Sequence, residues 1–243
     1  MELALVGIAV GFLSGFFGIG GGTILVPILL FLGFGMKDAV GISVTQMVFS
    51  SIFGSFLNLK KAIFKIHEGL ALGIGGAVGA LLSGYFIKVV PEKVLEYTFL
   101  AVVTYTFLRF FTKNVDEVVE EKDLPPVALF FLGVFVGLIA ISIGVGGSIF
   151  ITPVLVGLFH VNVKKAAAMG LFFVIFSSIS GFVSLSLFGH IDYVDGFLVG
   201  AFSLIGVYFG IKLAHKTDKK RFKNALVVMY AVILAMTVKK VFF

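Results

Sequence analysis

Two glycine-rich stretches lie inside long apolar runs, and each is followed by a proline. The first is GFFGIGGGTILVP, at 15–27, and the second is ISIGVGGSIFITP, at 141–153. A glycine inside a helix costs about 1 kcal/mol relative to alanine, so each run favours an interruption of the helix. A helix that restarts after such a break presents unpaired N–H groups and the positive end of its dipole. The residue types therefore predict that backbone groups bind an anion.

Hydroxyl and amide side chains in the neighbouring apolar segments are further candidates for contact with the anion. Such groups replace part of the water shell of an oxyanion without bringing a fixed charge into the membrane. Any one serine in a helix more often bonds to its own backbone. The repeated FSS pair and a nearby glutamine are the stronger candidates, and the predicted residues are Gln46, Ser50, Ser51, Ser177 and Ser178.

Charged and catalytic groups are missing from the centres of the apolar segments. Glu96 and Arg109 lie near segment ends, and the four histidines fall in loops or at segment ends, where a solvated role is the default: His67, His160, His190 and His215. A proton-coupling role for one histidine stays open. The chain has no cysteine, which excludes thiolate metal sites and disulfides. We predict no enzyme, no metal site and no cofactor.

The composition predicts an integral membrane protein that crosses the bilayer several times. Hydrophobic residues make up 59% of the 243 residues, charged residues 13%, and the mean hydropathy is +1.15. Apolar runs of about 20 residues follow one another along the chain. The first run has no basic leader or cleavage pattern, so we expect it to remain. The formal charge of +6 lies in short loops, as the positive-inside rule predicts, so no nucleic-acid partner is expected.

The chain is predicted to consist of two repeats. At an offset of 126 residues, six positions of the first half match the second: Gly7, Gly11, Gly18, Gly20, Gly21 and Pro27 fall on Gly133, Gly137, Gly144, Gly146, Gly147 and Pro153. After a slip of one residue, FSSI at 49–52 recurs at 176–179. The predicted division is a first repeat at 1–111, an acidic linker at 112–126 and a second repeat at 127–243.

Each repeat reads as a glycine-broken segment followed by three apolar spans. The broken segments are 3–32 and 127–159, and the spans are 39–59, 69–90, 94–111, 166–188, 196–214 and 222–241. If the broken segments cross the membrane, the 19 Lys and Arg residues divide into 11 and 8 between the two faces; if they re-enter, the division is 14 and 5. The positive-inside rule favours the second arrangement. The predicted fold is all-α, with inverted repeats, six spans, two re-entrant segments and both termini outside.

The paired glycine motifs, each followed by a serine-rich helix, resemble the TauE/SafE family of sulfite exporters over essentially the whole chain. The resemblance implies transport of small sulfur-containing anions across the cytoplasmic membrane of a prokaryote. It also implies site residues at the motif positions, namely Gly18, Gly20, Gly21, Gly22, Thr23, Pro27, Gly144, Gly146, Gly147, Ser148 and Pro153. Related thiosulfate carriers depend on cysteines, so the cysteine-free sequence argues against thiosulfate uptake by that chemistry.

The resulting hypothesis is a transporter that binds sulfite or an organosulfonate between the two breaks, near the middle of the bilayer, and works by alternating access. Protons are a candidate coupling ion, and the small-residue stripes are compatible with a homo-oligomer. The alternative is a passive small-anion channel. A membrane scaffold is the weaker third interpretation, because neither a soluble docking domain nor an exposed polar groove is predicted.

Overall fold

A computed structural model describes residues 2–60, 66–112 and 125–242 of the chain. These residues form eleven α-helices and no strand. The predicted linker at 112–126 lies almost wholly outside the described residues, as does part of the basic loop at 60–65. The helices are α1 (Glu2–Phe17), α2 (Gly22–Phe31), α3 (Met36–Lys60), α4 (Ile66–Ala80), α5 (Ser83–Val89), α6 (Glu92–Thr112), α7 (Pro126–Ser142), α8 (Ser148–Leu158), α9 (Val163–Leu187), α10 (Tyr193–Lys216) and α11 (Lys219–Phe242).

Five helical stretches are long and apolar enough to cross a membrane. They are Met36–Lys60, Gly69–Val89, Val163–Leu187, Tyr193–Lys216 and Lys219–Lys240. Helix α6 covers the remaining predicted span and has 21 residues, but it is not among these five. The helices that flank the glycine runs are short, with 16 residues in α1, 10 in α2, 17 in α7 and 11 in α8. The protein is thus an all-helical, multi-pass membrane protein.

The helix order repeats along the chain. Helices α2 and α8 begin at Gly22 and Ser148, 126 positions apart, and α3 and α9 begin at Met36 and Val163, 127 positions apart. Both α3 and α9 have 25 residues. The single helix α10 corresponds to α4 and α5 together, and α11 corresponds to α6.

The break between α4 and α5 is held by a serine of α9. The hydroxyl of Ser184 donates to the Leu81 carbonyl at 2.7 Å and accepts from the Gly84 N–H at 3.0 Å. Both backbone groups lie where the helix is interrupted, so a buried side chain replaces the missing helical bonds. Ser184 therefore has a structural role.

The first helix of each repeat packs along a helix of the other repeat, α1 on α10 and α7 on α4. The contacts are made by glycines spaced four apart in α1: Gly7, Gly11 and Gly15 lie against the backbone of Val199, Ser203 and Val207, respectively. Residue numbers increase together in the two helices, so α1 and α10 run in the same direction. The small-xxx-small spacing lets their backbones approach closely.

The α7 and α4 pair repeats this arrangement. Gly75 lies against Phe130, and Gly79 lies against Val134. These two helices also run in the same direction. The two halves of the sequence are therefore interleaved in space and do not form separate packing units.

Helices α3 and α9 contact each other and run in opposite directions. Gly54 of α3 lies against Leu171 of α9, whereas Met47, earlier in α3, lies near Gly20 and Gly146 together with Val174, later in α9. Six polar residues of these two helices are fully buried: Ser43, Gln46, Ser50, Ser51, Ser177 and Ser178. The contact between α3 and α9 thus lies beside both glycine breaks.

The close approach of α1 and α10 predicts that bulk at Gly11 destabilises the protein. A side chain at Gly11 would collide with the backbone carbonyl of Ser203, so Gly11→Leu forces the two helices apart. We expect a loss of about 1–3 kcal/mol, seen as a lower melting temperature in detergent. Ala201→Leu adds similar bulk on the exposed side of α10 and is the matched control. Equal melting temperatures for the two variants would contradict the packing.

Candidate functional site

Each glycine run adopts a backbone conformation that favours glycine. Gly18, Gly20 and Gly21 have φ angles of 69°, 76° and 94°, and their equivalents Gly144, Gly146 and Gly147 have φ angles of 73°, 73° and 97°. Residues with a Cβ rarely adopt this left-handed region. The duplicated glycines are therefore required by the shape of the breaks, as the sequence predicts.

Both helices that follow the breaks begin without a side-chain cap. Gly21 and Gly147 occupy the N-cap positions of α2 and α8, and neither is capped by a side-chain hydrogen bond in the described structure. The first N–H groups of a helix have no partner within it. Two helix N-termini thus direct partial positive charge into a buried region, which supports anion binding there.

The prolines of the two motifs lie beyond the first turn of the helices that follow the breaks. Pro27 and Pro153 lie inside α2 and α8, five residues after the first residue of each helix. A proline at this position removes one helical hydrogen bond, so the carbonyls of Thr23 and Ile149 lack their usual donors. Each break is thus followed, in the first turn of the next helix, by a backbone carbonyl without its usual helical donor.

Three buried serines donate hydrogen bonds to backbone carbonyls of the breaks. Ser50 donates to the Gly20 carbonyl at 2.9 Å, and Ser177 donates to the Gly146 carbonyl at 3.0 Å. These two bonds are equivalent in the two repeats. Ser43 donates to the Gly144 carbonyl at 2.7 Å and so joins the first repeat to the break of the second. In this conformation Ser50 and Ser177 therefore support the break, because their hydroxyl protons already have an acceptor.

Gln46 has the most conspicuous buried polar group at the breaks. Its side chain is fully buried, and neither Nε2 nor Oε1 has a hydrogen-bond partner among the described residues. The amide lies against Gly21, where an added Cβ would be 2.5 Å from Oε1. An unsatisfied buried polar group costs about 1–3 kcal/mol, so a ligand that pairs with this amide removes that cost.

Other buried hydroxyls also lack hydrogen-bond partners within the described part of the chain. Thr23 and Ser148 lie at the starts of α2 and α8, and Thr152 lies one turn after Ser148. Ser148 and Thr152 both face Gly170 of α9. The sequence analysis missed Thr152, although its place directly before Pro153 distinguishes the second motif from the first.

The two repeats place different side chains at equivalent positions. Phe173 is 127 positions after Gln46, and its ring lies against Gly147 as the Gln46 amide lies against Gly21. The first break is thus lined by an amide and the second by an aromatic ring. The site is polar mainly at Gln46 on one side and at Ser148 and Thr152 on the other.

The remaining predicted residues fall into two groups. The Ser178 hydroxyl is 3.4 Å from the Ile175 carbonyl of its own helix, which is the default role of a helical serine. Ser51, its equivalent in α3, is fully buried without a hydrogen-bond partner in the described residues. The positions in the motifs, from Gly18 to Pro27 and from Gly144 to Pro153, lie at the two breaks or in the helices that follow them.

The two breaks touch each other. Gly22 lies directly against the carbonyl of Gly144 and the hydroxyl of Ser43. The sequence analysis placed an anion between the breaks, and in this conformation that space is closed. A bound anion therefore requires the breaks to separate.

The described residues contain no group of three His, Asp or Glu side chains suited to a metal. A histidine lies among charged side chains in one loop. His190, in the loop between α9 and α10, has its pKa lowered by burial and by Lys37 and Lys88, with Asp38 opposing. Burial and the two lysines thus favour the neutral form of the His190 imidazole.

Comparison with known proteins identifies the family to which the chain is similar. Residues 3–237 match the family described as sulfite exporter TauE/SafE. The chain is 23% identical to the probable membrane transporter protein YdhB of Bacillus subtilis over 232 residues, which cover 93% of this chain and 95% of that protein. It is 28% identical to the probable membrane transporter protein MJ0441 of Methanocaldococcus jannaschii over 250 residues, which cover 96% and 92% of the two chains.

No solved structure matches the chain. The glycine motifs and helices α2 to α10 lie within the matched residues, which also cover most of α1 and α11. The chain belongs to the TauE/SafE sulfite exporter family, a family of membrane transporters.

Proposed function

We propose that this protein transports a small sulfur-containing oxyanion, sulfite or an organosulfonate, across the cytoplasmic membrane by alternating access. The observation that carries the proposal is the buried, unpartnered amide of Gln46 beside the N-terminus of α2. The amide Nε2 supplies hydrogen-bond donors, and the helix end supplies partial positive charge. Together they suit the oxygens of an anion.

A site without fixed charge suits a substrate that must be released. The side chains that approach the glycines of the breaks most closely carry no charge. Helix N-termini and neutral donors offset part of the anion's charge, whereas a buried lysine would hold the anion more tightly. We expect moderate affinity, with the hydroxyls of Thr23, Ser51, Ser148 and Thr152 completing the coordination when the breaks open.

We propose an inverted arrangement of the two repeats, with two re-entrant hairpins and six spans. Helix direction supports it: α3 and α9 are equivalent helices, and their contacts with each other run in opposite directions. Helix α1 runs parallel to α10, and α10 runs parallel to α3, with Gly196 against Thr45 and Gly200 against Phe49. Since α1 and α3 then point the same way, the intervening α2 returns to the face at which α1 entered.

We propose that the moving units contain helices from both repeats. Neither repeat can move as one unit without separating close contacts, because α1 packs on α10 and α7 packs on α4. Motion at the α3 and α9 contact separates the two breaks without disrupting those tightly packed pairs. The bond from Ser43 to the Gly144 carbonyl joins the two breaks and would have to break in that motion.

The alternative is a passive channel, which requires a continuous water-filled path. The contact between Gly22 and the Gly144 carbonyl closes the space between the breaks and favours a carrier. Protons are the proposed coupling ion, and a histidine outside the spans is the proposed group for that role. Sulfur oxyanions are the proposed substrates because they match the family and the donor-rich, uncharged site.

Liposomes that contain the purified protein provide the direct test of transport. We expect saturable uptake of radiolabelled sulfite, competition by sulfoacetate, counterflow, and acceleration by a pH gradient. Uptake that never saturates and shows no counterflow would indicate the channel. Absence of uptake for sulfite, sulfoacetate and sulfate, with folded protein, would contradict the proposed substrate class.

Replacement of the Gln46 amide tests the site. Gln46→Met keeps most of the side-chain length and removes the hydrogen-bond donors, so we expect the KM for sulfite to rise about tenfold or more. Thr237→Val is the control, because Thr237 is a buried hydroxyl in α11 that bonds to the Ile233 carbonyl of its own helix. An unchanged KM in Gln46→Met would remove Gln46 from the binding site.

The cysteine-free sequence allows a decisive test of the membrane arrangement. Leu32→Cys and Leu158→Cys place single thiols at exposed positions directly after the two hairpins. If the hairpins re-enter, a membrane-impermeant maleimide reaches the two thiols from opposite faces, and Tyr193→Cys is labelled from the same face as Leu32→Cys. If the broken segments cross the membrane, Leu32→Cys and Leu158→Cys are labelled from the same face.

A further inference from the structure

A cavity lies next to the first glycine break, on the face that carries most of the Lys and Arg residues. It has a volume of about 30 Å³, which is enough for about two water molecules. Its lining includes Gly18 of the break, Asn58 of α3, Lys164 and Ala167 of α9, His215 of α10 and Phe222 of α11. Five helices or their connections therefore meet around one small polar space.

Lys164 is held in place at this cavity. Its ammonium group donates to the carbonyl of Thr217, just after α10, and its backbone N–H donates to the side chain of Asn162 at 3.0 Å. An ammonium group has three donors, so the bond to Thr217 leaves capacity for a ligand. Lys164 and His215 are both half-buried, and Asn58 is 7% exposed. The cavity thus has a positioned cation, an imidazole and an amide in its wall.

The charge in this cavity is not balanced by an acid in its lining. No described Asp or Glu lines it. Asp218, the acidic residue closest in sequence to His215, is paired with Arg221 at 3.2 Å on the surface. Among the residues that the structure describes, the lining of the cavity is thus cationic, which attracts anions.

The equivalent region of the other repeat has a different charge balance. Lys37 and Lys88 lie 127 positions before Lys164 and His215, so cationic side chains recur there. Acidic groups accompany them, because Asp38 and Glu92 both approach Gly35. Among the described residues, the two equivalent places thus differ in charge: acidic groups lie near the lysines of the first, and no acidic residue lines the cavity at Lys164.

We propose that this cavity is a second oxyanion site, at which the anion is held on the cytoplasmic side before it reaches Gln46 and the glycine breaks. The inference rests on the proposed function for the direction of the path. Gly18 links the two places, since it lines the cavity and is also the first residue of the break. The Lys164 ammonium supplies the charge, and Asn58 and His215 supply hydrogen bonds to the oxygens of a sulfonate or sulfite.

Thiol labelling tests this site without depending on transport. Ala214→Cys places a single thiol in the lining of the cavity, and Ala168→Cys places one at a second position there. Inside-out membranes are treated at low ionic strength with two methanethiosulfonate reagents of similar size, one bearing a sulfonate and one bearing a quaternary ammonium. We expect the sulfonate reagent to react faster, and sulfoacetate to slow its reaction in a saturable way.

Removal of the Lys164 charge gives the discriminating comparison. The variant that combines Ala214→Cys with Lys164→Gln is compared with Ala214→Cys alone. We expect the labelling rate of the sulfonate reagent, divided by that of the ammonium reagent, to fall about tenfold, which corresponds to about 1.4 kcal/mol. Lys164→Gln should also abolish protection by sulfoacetate, and Lys164→Arg should restore both. Lys216→Gln removes the same charge from an exposed neighbour outside the cavity and should change the ratio less than about twofold, because exposed charges are screened.

The outcomes separate this site from the proposed transport. Equal effects of Lys164→Gln and Lys216→Gln, absence of protection by sulfoacetate, or absence of labelling at both positions would overturn the second site even if the protein transports sulfite. The reverse result is also informative. If sulfoacetate protects the thiol in a saturable, Lys164-dependent way but the protein transports none of the tested anions, the second site stands and the proposed function is overturned.

Discussion

The structure depends on one constraint, which is that every backbone polar group in the hydrocarbon region needs a hydrogen-bond partner. Two runs of glycine interrupt the helices at buried positions, away from water. Serine hydroxyls satisfy the exposed carbonyls, with Ser50 bonded to Gly20 and Ser177 bonded to Gly146. The serine-rich character of α3 and α9 follows from this requirement. The N–H groups at the starts of α2 and α8 are left for other acceptors.

The duplicated backbone supports two chemically different half-sites. The same position contributes an amide at Gln46 and a phenyl ring at Phe173, each against a glycine with a positive φ angle. The hydroxyls of Ser148 and Thr152 occur on the side that lacks the amide. Inverted repeats allow the two open states of a transporter to be related by exchange of the repeat conformations. If the protein alternates between two such states, as proposed, the different side chains at the breaks give the states unequal energies, and the empty protein then has a preferred orientation.

Much of the fold was accessible from the sequence because its signals are local. Glycine clusters predict helix breaks, and the start of α2 at Gly22 and of α8 at Ser148 agrees with the motif. Apolar length predicts the long helices. The pairing of α1 with α10 was not predictable, since small-residue stripes such as Gly7, Gly11 and Gly15 do not identify their partner. The role of Ser50 was ambiguous for a similar reason, because a serine can bind substrate or backbone. The cavity at Lys164 joins residues distant in sequence, and no local motif marks it.

The interleaved packing of the repeats has a consequence for synthesis of the protein. The glycine face of α1 is covered by α10, whose contact residue Ser203 is translated 192 positions after Gly11. At about 5–20 residues per second, α1 waits about 10–40 s in the membrane before its partner emerges from the ribosome. Helix α7 has no such delay, because α4 precedes it in the chain. Helix α7 therefore finds its partner already inserted, whereas α1 completes its packing only near the end of translation.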